Sequence, residues 1–350
     1  MGRITIWKRA ILMELLFILL LVAINGMTPV LQKTSSQTKE EKKEKKDSIK
    51  WVEFNPTCEA MTYAYETDMQ MHGTEQEIGW VSLLAYAAAK SGGTFDKNSV
   101  PVMRKLVKQI IEKETTLGKA TEKLEYYPYY LEAYEAVLGG MVGEYEIEVK
   151  DDKGNTSFQK KYGLKAFLPI AKGFPYNDYD DFGSSRSFGY KRQHLGHDMM
   201  GQIGTPIIAV ESGTVEAIGW NRYGGWRIGI RSFDKKRYYY YAHLRQNYPY
   251  QEGLEEGSIV TAGDVIGYMG HTGYSDKENV NNIKVTHLHF GLELIFDEAR
   301  REDGKEIWID CYELTKFLYK NRSETVKKEG TKEWERVYHM KDPECEKHLN

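Results

Sequence analysis

Two histidines stand two residues apart in His287-Leu288-His289-Phe290. On an extended strand, positions i and i+2 point to the same face, so both imidazoles can enter one cleft while Leu288 and Phe290 turn the other way. Alone, such a pair is equally at home on an ordinary surface strand. A second group lies in His194-Leu195-Gly196-His197-Asp198. Gly196 permits a tight turn that could bring an imidazole and a carboxylate to one point. Two histidines and one aspartate make a three-ligand set with a fourth position left for water, the pattern of catalytic rather than structural zinc. Nitrogen and carboxylate ligands also suit an export compartment, where thiolates risk oxidation. A further imidazole, His243, follows Tyr238-Tyr239-Tyr240-Tyr241-Ala242, a strongly β-prone run. Strict alternation puts Tyr239, Tyr241 and His243 on one face, where the tyrosines read as core.

The elements that must position these groups are short strands. Glycines punctuate apolar or aromatic runs at 206–210, 213–220, 227–230, 237–242, 265–269 and 287–294. Strands of this length and spacing predict an antiparallel β domain, and Asp152-Lys153-Gly154-Asn155 predicts a turn between two extended stretches ahead of it. Residues 51–147 instead read as helical. One helix is expected over 77–90, stopped by Ser91-Gly92-Gly93, a second opens at Pro101, and a third covers 129–138. No catalytic motif lies there. Glu66 or Glu77 could be imagined as a glycan-cleaving acid, but both read as surface carboxylates.

Three blocks, in order over about residues 180–295, resemble the LytM/lysostaphin-type zinc endopeptidases, peptidase family M23. The first is Ser187-Phe188-Gly189, His194-x-Gly196-x-Asp198 and the run from Gly204 to Val215. The second is Tyr241-Ala242-His243-Leu244. The third is the run from Ala262 to Gly270, then Thr272-Gly273 and His287-x-His289. The resemblance implies that His194, Asp198 and His289 bind Zn2+, with His287 and His243 as the unliganded catalytic pair. We expect His287 to be the general base and His243 to stabilise the transition state, although nothing in the sequence decides which does which. His197 matches no motif position and reads as a supporting or surface residue. The insert from Asp276 to Val285 is expected to reshape a groove wall and not the metal site. Trp220, Tyr223 and Trp226, beside Gly224-Gly225, could flank that groove.

The fold expected is α+β overall: a mainly β, antiparallel peptidase domain with a groove over 148–325, plus a small all-α domain over 51–147, with one transmembrane segment. Arg3, Lys8 and Arg9 precede the apolar run Ala10 to Ile24, broken only by Glu14. This predicts a cytoplasmic tail over 1–9 and an uncleaved signal-anchor over 10–26, with the rest outside the membrane. A cleaved signal peptide would secrete the same remainder. Residues 27–50 read as a charged stalk and 326–350 as a tail without motif. The formal net charge of −3 argues against a nucleic-acid partner. Three widely spaced cysteines, with no CxxC, exclude a disulfide framework or a thiolate zinc cluster.

The substrate implied by the resemblance is peptidoglycan peptide, cut at a cross-link amide on the wall side of the cell membrane. A D,D-endopeptidase is favoured over a glycine-bridge cutter, because no wall-binding module is visible. The alternative is a membrane-tethered scaffold or hydrolase activator in a sporulation or secretion complex.

Overall fold

The computed structural model describes residues 52–302 and 304–349. The expected tail, signal-anchor and stalk lie outside the described residues. Among the described residues no helix is long and apolar enough to cross a membrane.

Five helices come first: α1 (Cys58–Met71), α2 (Trp80–Ser91), α3 (Ser99–Ile111), α4 (Leu117–Thr121) and α5 (Tyr127–Leu138). The first was not expected from the sequence. Its signal is Thr57, whose side chain accepts from the Ala60 amide and so satisfies one free helix-end donor. Helix α2 ends as expected at Gly92, which takes the left-handed conformation at φ 67°. Strands β1 (Val142–Lys150) and β2 (Thr156–Leu164) then pair across the predicted turn. There the Asp151 carboxylate accepts from the amides of Lys153 and Asn155 at 2.9 and 2.8 Å.

A short hairpin of β3 (Ser185–Phe188) and β4 (Tyr190–Gln193) leads into β5 (His197–Met200). The main sheet runs in the order β10 (Ile259–Val260), β7 (Gly213–Asn221), β8 (Gly225–Ser232), β9 (Arg237–Ala242), β12 (His287–Leu294), β13 (Ile307–Ile309). Every pairing in it is antiparallel. Strand β5 flanks the first half of β12 and β13 the second half. Strands β6 (Pro206–Ile208) and β11 (Val265–Tyr268) form a separate pair. The expected strands and their antiparallel arrangement are therefore present, together with helices.

One hydrophobic cluster runs from Met61, Leu83 and Leu84 in the helices to Tyr239, Phe290 and Leu292 in the sheet. The change from helix to strand falls between Leu138 and Val142, ahead of the expected 147/148 boundary, and it lies within a continuous core. Arg237, 1% exposed, ties the two parts: it grips Glu211 at 2.7 and 3.0 Å and donates to the Ala136 carbonyl at 3.0 Å, near the end of α5. The chain beyond 326 also folds back, since β16 (Met340–Lys341) pairs with β1 and Asp342 forms a buried ion pair with Lys165 at 2.9 Å. All three cysteines are free thiols.

Candidate metal centre and groove

Strand β12 divides its faces as its sequence demands. Leu288, Phe290, Leu292 and Leu294 are buried, while His287, His289, Gly291 and Glu293 occupy the opposite face. Register then completes the corner: His289 lies opposite Asp198 on β5 and Ala242 on β9. Gly196 matters here for space. A Cβ on it would lie 2.5 Å from His289 Cε1 and 2.8 Å from the Phe290 carbonyl. Its φ is not in the left-handed region, so close approach, and not turn geometry, is what requires glycine.

Three atoms converge. His194 Nε2 lies 3.0 Å from Asp198 Oδ1 and 2.9 Å from His289 Nδ1, and His289 Nδ1 lies 3.0 Å from Asp198 Oδ1. The neutral tautomer of His194 can be assigned from chemistry. Its Nδ1 faces the Asp181 carbonyl at 3.1 Å, and a carbonyl only accepts, so the proton sits on Nδ1. Nε2 then presents a bare lone pair to a carboxylate oxygen and a second imidazole nitrogen. Such a meeting is repulsive unless a positive charge lies among the three, and two nitrogens plus one carboxylate oxygen are a fitting donor set for zinc. The preference for positive charge is visible in His194 itself. Burial disfavours its imidazolium, yet hydrogen bonds to Asp181 and Asp198 raise it to about 9. Asp198, despite burial, is held far below the ordinary carboxylate range by His194 and His289. Burial lowers His289.

Behind the corner stands a network that the sequence reading missed. Asp181, whose side chain is fully buried, places Oδ2 3.1 Å from His194 Nδ1 and accepts from Arg186 Nη2 at 2.8 Å. The same Arg186 nitrogen bonds Asp198 Oδ2 at 3.0 Å. His197 is not on the surface: it is 1% exposed, with Nε2 3.0 Å from Asp178 Oδ2 and Nδ1 3.5 Å from Asp181 Oδ1. Burial opposes its charge, but those two carboxylates raise it to about 9. Carboxylates behind metal-binding imidazoles fix ring orientation. The acidic run Asp178-Tyr179-Asp180-Asp181, shortly before His194, was the available signal.

His243 and His287 complete the cluster, their ring centroids 4.7 Å apart. His243 does not share a face with Tyr239 and Tyr241, which point into the core. Its φ of 61° breaks the strand alternation and swings the ring toward His287. Its Nδ1 donates to the Thr272 carbonyl at 2.9 Å, and burial, reinforced by His287 and His289, holds it well below the usual imidazole range. His287 donates from Nδ1 to the Val285 carbonyl at 2.8 Å, and its Nε2 lies 3.6 Å from Asp198 Oδ1. The insert from Asp276 to Val285, expected to reshape a groove wall and not the metal site, instead anchors a candidate catalytic ring.

His194, His243 and His289 line a groove of about 460 Å³ together with Glu293, Arg301 and Trp308. Tyr223 and Gly224 line it as expected. Trp220 and Trp226 do not; they pack edge-to-face on each other at 5.5 Å, and Trp226 Nε1 donates to Asn279 Oδ1 at 2.9 Å. Glu66 and Glu77 are exposed, far from this cluster in the helical segment.

Residues 192–306 match the family model described as Peptidase family M23. The L-Ala–D-Glu endopeptidase of Bacillus subtilis (strain 168) is 39% identical over 147 residues, covering 42% of this chain and 41% of that protein. Lysostaphin of Staphylococcus simulans is 37% identical over 98 residues, covering 28% of this chain and 17% of that protein. The chain thus spans less than half the length of each of these relatives. A solved LytM structure from Ruminococcus gnavus is 22% identical at a TM-score of 0.49, covering 81% of this chain and 95% of that one. With the motif order, the converging site and the matched span in agreement, the chain carries a peptidase domain of family M23.

Proposed function

We propose that this protein is a zinc-dependent endopeptidase acting on peptidoglycan peptides. The observation that carries the reading is the meeting of His194 Nε2, Asp198 Oδ1 and His289 Nδ1, all mutually within 4.8 Å, at the end of a peptide-sized groove. His194, Asp198 and His289 would hold the metal. A divalent cation there supplies Lewis acidity, which polarises a carbonyl and makes water acidic near neutral pH.

The chain's own residues divide the remaining work. Both unliganded imidazoles spend their Nδ1 proton on a backbone carbonyl, so each presents an Nε2 lone pair. Two acceptors suit the two protons of an attacking water. His287 takes one as general base and returns it to the departing amine. His243, kept neutral by burial, accepts the second hydrogen bond and orients the water. This differs from stabilising the transition state by donating to an oxyanion, because a neutral ring with its proton on Nδ1 has no Nε2–H to offer.

The relatives' names supply candidate bonds. The longer alignment is to an L-Ala–D-Glu endopeptidase and the shorter to lysostaphin. We favour a bond within or between stem peptides, whether L-Ala–D-Glu or the D,D-cross-link, over a glycine bridge. The chain would act on the wall side of the cell membrane, tethered by residues 10–26. A scaffold or activator role does not require five convergent metal-site and catalytic residues. The test is incubation of the purified full-length protein with cross-linked wall fragments and mass spectrometry of the products. Zinc-dependent release of new amine termini is expected; intact fragments alongside a zinc-loaded, folded protein would refute the endopeptidase reading.

A further inference from the structure

We propose that Arg192 and Arg227 form an anion subsite in the groove that selects peptides bearing a free carboxylate within one or two residues of the bond to be cut. The proposal rests on the endopeptidase reading. Both arginines line the groove, and each has a buried Nη1 without a hydrogen-bond partner. Among the described residues neither is ion-paired to a carboxylate, whereas nearby Arg222 is paired with Asp276 at 3.2 Å and Arg301 with Glu216. A buried guanidinium nitrogen left unsatisfied calls for a ligand that satisfies it, and the guanidinium fork matches a carboxylate in two parallel hydrogen bonds.

The two cations act at one place. Arg192 stacks over the rings of Tyr223 and Tyr274, at 5.0 and 5.3 Å, and donates from Nη2 to the Tyr274 hydroxyl at 3.0 Å. Arg227 projects from β8, and it lines the groove together with Arg192 and Tyr240. Tyr240 accepts from Asn221 Nδ2 at 3.0 Å and keeps its own proton to donate. Three donors therefore face the same stretch of groove.

Register fixes its distance from the chemistry. Ile228 pairs with Tyr241, which places Arg227 level with Ala242, the partner of His289. Two strand spacings separate them, roughly 10 Å. An extended peptide advances about 3.4 Å per residue, so the gap spans about three residues of backbone, and the length of the arginine and substrate side chains brings a carboxylate one or two residues from the scissile bond within reach. The groove's acids do not compete, because Glu293 is already 3.3 Å from Arg301 and Glu306 accepts from Trp308 Nε1 at 2.7 Å. A glycine bridge carries no such carboxylate and would leave both forks empty.

The test uses the full chain carrying His287→Ala, to prevent turnover, and N-acetyl-L-Ala-D-Glu-L-Lys-D-Ala beside its counterpart with the free glutamyl carboxyl amidated. Calorimetry should show amidation weakening binding at least tenfold. Arg227→Gln should bring the ratio of the two affinities toward one, and Arg227→Lys, which keeps the charge but loses the fork, should retain part of it; thermal melting checks that each variant folds. Equal affinity for both peptides, or no binding of either, overturns the subsite. The wall-fragment digestion separates the two readings: bonds cut without charge preference leave the endopeptidase standing and remove the subsite, whereas carboxylate-dependent binding with no bond cut does the reverse.

Discussion

Replacing Asp181 by asparagine keeps the shape of a fully buried side chain and removes its charge. The carboxylate it alters faces Arg186 Nη2 at 2.8 Å, His194 Nδ1 at 3.1 Å, the Asp198 amide at 3.4 Å and His197 Nδ1 at 3.5 Å. An amide oxygen can still accept from one of these, but its NH2 group must then confront another donor. Charge-assisted hydrogen bonds of this kind contribute about 1.5–3 kcal/mol each. Losing a partner behind a metal-binding imidazole weakens metal affinity by roughly 10–100-fold, or about 1.4–2.8 kcal/mol. His194 keeps the backbone carbonyl of residue 181 as an acceptor, so the lower end applies to Asp181→Asn and the upper end to Asp181→Ala, whose cavity also frees the ring. Burial opposes the Asp181 charge, but hydrogen bonds from His194 and His197 hold its carboxyl far below the ordinary range. Its stabilising contribution is therefore present above about pH 4 and is lost as the pH falls further. Zinc affinity is read by competition with a chromophoric chelator, alongside thermal melting of the metal-free protein. If Asp181→Asn melts earlier but binds zinc within twofold of the parent, Asp181 supports folding only and the orienting argument is wrong.

Three further outcomes are expected. His289→Ala should lose zinc and hydrolysis together, as metal analysis and product release will show; retained stoichiometric zinc would remove His289 from the ligand set. His287→Ala should lower turnover by about 10²–10⁴-fold while zinc stays bound, and loss of the metal as well would show that the division between ligand and base is misplaced. Burial raises Glu293 to about 7, with Arg301 opposing. A carboxyl raised on folding makes the folded state bind more protons than the unfolded one between about pH 4.5 and 7, so stability falls as pH rises through that window. Glu293→Gln should remove up to about 3 kcal/mol of that loss and raise the melting temperature at pH 8 but not at pH 4; equal shifts at both would refute it.

The parts of the site legible in the sequence are those that obey a short period. His287 and His289 follow the two-residue repeat of a strand whose other face is Leu288 and Phe290, and that face is buried. The Tyr238–Ala242 strand was equally plain. What failed was the step past its end, because alternation has no force at a residue with φ 61°, and His243 owes its direction to that angle. Asp178, Asp181 and Arg186 were invisible for another reason. Asp178 and Asp181 lie where bridges and loops replace any repeat, Arg186 lies on the four-residue strand β3, too short to show one, and only the folded chain shows which acids stand behind which imidazole. Helix α1 escaped because its signal is a single capping threonine.

The insert before β12 connects binding to catalysis. Its Val285 carbonyl holds the Nδ1 proton of His287, and its Asn279 holds Trp226 and the backbone of Asn247. A loop that both braces Trp226 and fixes the tautomer of the proposed base cannot shift for one purpose alone. Substrate that displaced the loop would release the Val285 hydrogen bond, free the ring to flip, and leave Nε2 no longer committed to accept. Substrate that packs against the loop keeps that lone pair aimed at the corner formed by His194, Asp198 and His289.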